Sequence, residues 1–76
     1  MALIRNLEER RMERNSLHEE ISASYTVFER DGRTFIQINS YGRKTREFQG
    51  KTSQSIQLDR VGAEQLHKIL SDAFGF

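Results

Sequence analysis

A chain of 76 residues with no cysteine, a formal net charge of +1 and 30% charged residues is one small domain, and such a chain buries only about 60% of the surface its unfolded form exposes. Disulfides and thiolate metal sites are excluded, no metal or other cofactor is expected, and a second subunit is the readiest source of extra burial. The near-neutral charge excludes a basic tail, so any attraction to nucleic acid must be local. No apolar run approaches the roughly 20 residues of a membrane span. The N-terminus lacks the continuous apolar core of a signal peptide, and the expected compartment is the cytoplasm.

Residues 1–21 form a charged segment with a helical pattern. Leu3, Leu7, Arg10, Arg14, Leu17 and Ile21 recur at alternating spacings of four and three, a short heptad seam with arginine in the middle. Arg5 with Glu9 and Glu8 with Arg11 stand at helical neighbour spacings. "SLHE", Ser16 to Glu19, fits a capping box for a second helical start. A solvated helix, lying on the domain or fraying from it, is the expectation, and a protein partner is the other use it could serve.

Residues 22–76 form the domain proper. "YTVFERDGRTFIQINSY" predicts a hairpin about Asp31-Gly32, a pair that supplies positive φ in tight turns. Ile36 and Ile38 should face the core, with Phe35, Gln37, Asn39 and Tyr41 on the opposite, wetter face. "SQSIQL" predicts a further strand with Ile56 and Leu58 inward, and "REF" a short one around Phe48. Asp59 is placed to cap the following helix. Leu66, Ile69, Leu70, Ala73 and Phe74 give that helix a wide apolar stripe, the expected dimer contact. Gly75 fits a left-handed terminator, with Phe76 folding back. The expected architecture is α+β: an antiparallel sheet of three to four strands on a C-terminal helix, preceded by an N-terminal helix, in a homodimer.

No constellation for nucleophilic or metal catalysis is present. His67 lies three residues from Glu64 on a helix surface, His18 sits among Glu19 and Glu20, and no glycine-rich phosphate cradle exists. The chain reads as a non-enzyme. Its densest chemistry is "YGRKTREFQGKTSQSIQL". Arg43, Lys44, Arg46 and Lys51 stand there against Glu47 alone, between Tyr41 and Phe48 and among hydroxyls and amides. Basic groups that follow a backbone, with aromatics that stack bases, are the parts single-stranded nucleic acid requires. Arg33 and Phe35 can join the same surface. A solvated loop pinned by Phe48 is the other reading, and the residues alone do not decide between them.

From Phe28 to Leu70, "RDGRTFIQINSYG", a basic linker and "GKTSQSIQLDRVGAEQLHKIL" resemble the positive cofactor four family of transcriptional coactivators and its bacterial and phage relatives. Gly50-Lys51 before the last strand, Ile56 and Leu58 within it, and the capping Asp59 carry the likeness. The resemblance implies a homodimer with antiparallel C-terminal helices and curved sheets that bind single-stranded DNA with low sequence specificity. Arg33, Phe35, Tyr41 and Lys51 fall where the family places strand and loop contacts. Gly42 follows Tyr41 where the family often carries a large aromatic, so Tyr41 or Phe48 would take the stacking role. The rival reading is a dimeric protein-interaction module with no nucleic-acid role.

Overall fold

The structure, a computed structural model, describes residues 1–42 and 52–76. Strand β2 (Ala23–Arg30) and strand β3 (Arg33–Tyr41) form the hairpin, in register from Ala23 opposite Ser40 to Arg30 opposite Arg33. Both turn residues lie in the left-handed region, Asp31 at φ 55° and Gly32 at φ 72°. That backbone twist matches the twist of the flanking strands, which is why Asp-Gly closes hairpins so often. Strand β4 (Thr52–Leu58) pairs antiparallel with β3, its register shifting beside Tyr41.

The sheet is mixed rather than antiparallel. Strand β1 (Ala2–Ile4) lies parallel on β4, giving the order β1-β4-β3-β2. The N-terminal helix expected from the heptad spacing is not formed. Leu3 and Ile4 belong to β1, and residues 5–22 contain no helix or strand. The seam places Arg10 and Arg14 in its middle, so its apolar stripe is broken where a helix would have to pack. Side-chain pairs worth about 0.2–0.5 kcal/mol each do not offset the cost of nucleating so short a helix. The expected docking of that helix on a protein partner falls with it.

Helix α1 (Arg60–Phe74) begins and ends as its sequence predicts. Asp59 Oδ1 accepts from the Gly62 amide at 2.9 Å, and Gly75, at φ 75°, donates its amide to the Ser71 carbonyl at 2.8 Å. Phe76 folds back to stack on Phe74, ring centroids 5.6 Å apart. Gly62 has a reason the helix itself does not supply. A Cβ there would stand 2.3 Å from the Ile4 carbonyl oxygen, so only glycine lets α1 start against β1.

Register sorts the sheet into two faces. Tyr25, Val27, Ile36, Ile38, Ile56, Leu58 and Ile4 share the apolar face. That face is poorly covered, because α1 leaves it after its first turns. Gly62 is buried and Ala63, Gln65 and Leu66 are half-buried, but Ile69, Leu70 and Phe74 are exposed. Leu58, at 5%, is the one buried hydrophobic side chain among the described residues, while Tyr25 is 71% exposed. An open cleft of about 600 Å³ lies beside the start of α1, bordered by Val27, Ile36, Leu58 and Val61 and also by Arg5, Arg33, Phe35 and Asp59. Among the described residues no helix is long and apolar enough to cross a membrane.

Candidate nucleic-acid interface

The opposite face is built in rows across the strands. Arg30 faces Arg33, Phe28 faces Phe35, Thr26 faces Gln37 and then Gln57, and Ser24 faces Asn39 and then Ser55. Tyr41 closes the series. At about 3.4 Å per residue, the column from Arg33 to Tyr41 extends roughly 27 Å along β3.

Each row is held by specific contacts. Phe28 and Phe35 stack with centroids 5.5 Å apart, and the Arg33 guanidinium lies 4.9 Å from the Phe35 ring centre. Gln57 Nε2 donates to Gln37 Oε1 at 2.8 Å, and Gln37 Nε2 donates to Asn39 Oδ1 at 2.9 Å. Ser55 Oγ donates to the same Asn39 oxygen at 2.7 Å. The amides thereby fix one another's orientation, so this part of the face is a preformed polar surface rather than a set of loose side chains. The Tyr41 hydroxyl and Ser24 Oγ share a hydrogen bond of 2.7 Å, which stands the ring beside the hairpin.

At the far end, Asp59 gathers two elements around one carboxylate. Arg5 Nε reaches Oδ2 at 2.8 Å from the β1 side, and Arg33 Nη2 reaches it at 3.2 Å from β3. Asp59 itself is 3% exposed. The Gly62 amide, and after it the Arg5 and Arg33 guanidiniums, hold its carboxyl below the ordinary value, against the opposing effect of burial. Next to this cluster, Leu7 donates its amide to Gln65 Oε1 at 2.7 Å and completes the tether of the N-terminal strand.

Arg33, Phe35 and Tyr41, chosen from the sequence, thus lie on one face of one strand. Arg43, Lys44, Arg46, Phe48 and Lys51 lie outside the described residues, as does the short strand expected around Phe48. In the sequence they fall between Gly42, next to Tyr41 at the end of β3, and Thr52 at the start of β4. Of the residues expected at a dimer contact, Leu66 is half-buried by its own chain, and Ile69, Leu70, Ala73 and Phe74 are exposed. The sequence reading missed Phe28 as partner of Phe35, the amide row as a connected unit, and Arg5. Alternate polar residues in "QIN" and "SIQ" were the available signal for the row. Nothing local announced Arg5, which meets Asp59 across 54 positions of chain. Among the described residues no group of acidic, histidine or cysteine side chains could hold a metal ion. Comparison with known proteins finds no matching family model, no matching curated protein and no matching solved structure.

Proposed function

We propose that this chain is a non-enzymatic, homodimeric binder of single-stranded nucleic acid, DNA in the first instance. Transcription or the upkeep of a phage or mobile element is the setting this suggests. The observation that carries the reading is the column Arg33, Phe35, Gln37, Asn39, Tyr41 on the face of β3 opposite Ile36 and Ile38. Aromatics on an open sheet stack unpaired bases, and amides between them bond base edges. The basic connection that follows Tyr41 in the sequence has a local excess of positive charge that suits a phosphate backbone. Weak sequence preference follows, because stacking accepts every base.

The homodimer rests on the other face. A chain whose described residues bury one hydrophobic side chain, and that leaves a sheet face and a helix stripe both open, offers two halves of one interface. Large exposed apolar patches mark contact surfaces. The helix of a second copy fits the sheet face that α1 leaves open, and two-fold symmetry buries both patches at once. The same open face is what favours the rival, a module that docks a different protein there.

Binding of a labelled single strand, followed by fluorescence anisotropy, tests the polar face. Phe35→Ala and Tyr41→Ala should each weaken it between about fivefold and a hundredfold, the range of one lost base stack. Both rings are half-buried, so the melting temperature of each variant is measured beside its affinity to separate lost binding from lost folding. Unchanged affinity in both variants would remove the polar face as the site and leave the protein-docking reading.

A further inference from the structure

We propose that Arg5 and Arg33, braced on Asp59, form a phosphate-binding subsite at the end of the polar face opposite Tyr41. It grips an internal phosphodiester of a bound single strand, and the inference rests on the reading of that face given above. Both guanidiniums share one carboxylate oxygen, Oδ2, while Oδ1 is engaged by the Gly62 amide. One negative charge therefore serves two positive ones, and two like charges are held side by side. An additional anion relieves that repulsion.

The donors are available. A guanidinium carries five N–H groups, and Arg5 and Arg33 are each seen to direct a single nitrogen to Asp59. Their side chains are 64% and 53% exposed, whereas that of Asp59 is 4% exposed. The carboxylate thus holds both heads without covering them, and the fold has already met the cost of ordering two long side chains. Arg60, the neighbouring cation, differs: it pairs with Glu64 at 3.1 Å along the helix. Tethering β1 accounts for Arg5 alone; it does not account for a second arginine on the same oxygen.

Position supplies the ligand class. Arg33 lies over Phe35, and Phe35 stacks on Phe28. A base resting against that aromatic pair brings its sugar-phosphate to the braced arginines. Arg30, opposite Arg33 in the hairpin, adds positive charge at the same end, while Glu29 belongs to the apolar face. A planar, fork-shaped donor pair also matches phosphate geometry better than a lysine would.

The test uses the full chain and a single strand of about eight nucleotides, within the site sizes known for such binders. Arg5→Gln should lose about three- to tenfold in affinity at low salt and flatten the salt slope by about 0.7, the share of one phosphate. Arg5→Lys, which keeps the charge and can still reach Asp59, should hold the slope. Replacing phosphates one at a time by neutral methylphosphonates should find a position that costs the natural chain as much as Arg5→Gln does. At that position the variant should lose nothing further, the signature of a direct pair and not of a disturbed fold. An unchanged slope in Arg5→Gln, or equal losses in both proteins at every position, would overturn the subsite while leaving the polar face intact. A gain restricted to 5′-phosphorylated strands would reassign the arginines to a terminal phosphate and overturn the internal contact. A natural chain that binds no strand at all removes the underlying reading, and the subsite with it.

Discussion

Asp59→Ala should melt roughly 5–10 °C below the natural chain, the scale expected when a small domain loses a helix cap and the contacts made through it. The loss is large because one side chain serves three elements. Its Oδ1 caps α1 at Gly62, and its Oδ2 holds Arg5 beside β1 and Arg33 on β3. Removing it leaves the Gly62 amide buried against Ile4 without a partner and sets two guanidiniums facing each other. Asp59→Asn keeps a capping oxygen and should fall between the two. The same carboxylate sets the acid limit. Its folded pKa lies below the ordinary aspartate value, so the contribution is fully present above the unfolded value and fades as pH falls through the folded one. Melting temperature should therefore be level near neutrality and decline below about pH 4, and Asp59→Ala should show a shallower decline. A melting temperature within about 2 °C of the natural chain would mean that α1 and β1 are held by other contacts.

Leu70→Glu together with Phe74→Glu should convert a particle of twice 8.9 kDa into one of 8.9 kDa in sedimentation. Within its own chain Phe74 stacks on Phe76, beyond the end of the helix. Both lie on the exposed stripe of α1, Phe74 at 70% exposure. Carboxylates there would have to be desolvated against the partner's apolar face, which costs far more than the lost contact. Stability should fall with association, since the described core is a single buried leucine and a stable interface buries about 1,200–2,000 Å² in all. Val27→Glu, on the sheet side of the same contact, should reproduce the effect. A variant that remains dimeric would place the interface elsewhere. A natural chain that is monomeric at micromolar concentration would leave the open face to a different protein.

What was legible in the sequence is what local chemistry decides. Asp31-Gly32 dictates its turn, Asp59 and Gly75 dictate the ends of α1, and strict alternation in "TFIQINSY" separates Phe35, Gln37, Asn39 and Tyr41 from Ile36 and Ile38. What was not legible depends on contacts distant in the chain. The segment around Leu3 has helical spacing, yet it pairs with Gln57, because a strand edge satisfies its backbone and an arginine-lined seam satisfies nothing. A glycine in the first turn ordinarily weakens a helix, yet Gly62 is the residue that admits β1. The stripe of α1 was visible, but its near-absence from its own sheet was not, because periodicity gives the apolar side of a helix and not what lies against it. In the candidate site, Arg33, Phe35 and Tyr41 followed from alternation. Arg5 required the parallel strand that nothing in the local sequence signals.

The central claim, that the polar face carries single-stranded nucleic acid, is tested most directly by anisotropy titrations of labelled single-stranded and duplex DNA across a range of salt concentrations. The expected result is tighter binding to the single strand, weakening with salt at about 0.7 in log slope for each phosphate contacted. Salt-independent binding, equal binding of duplex, or none at low salt would contradict it.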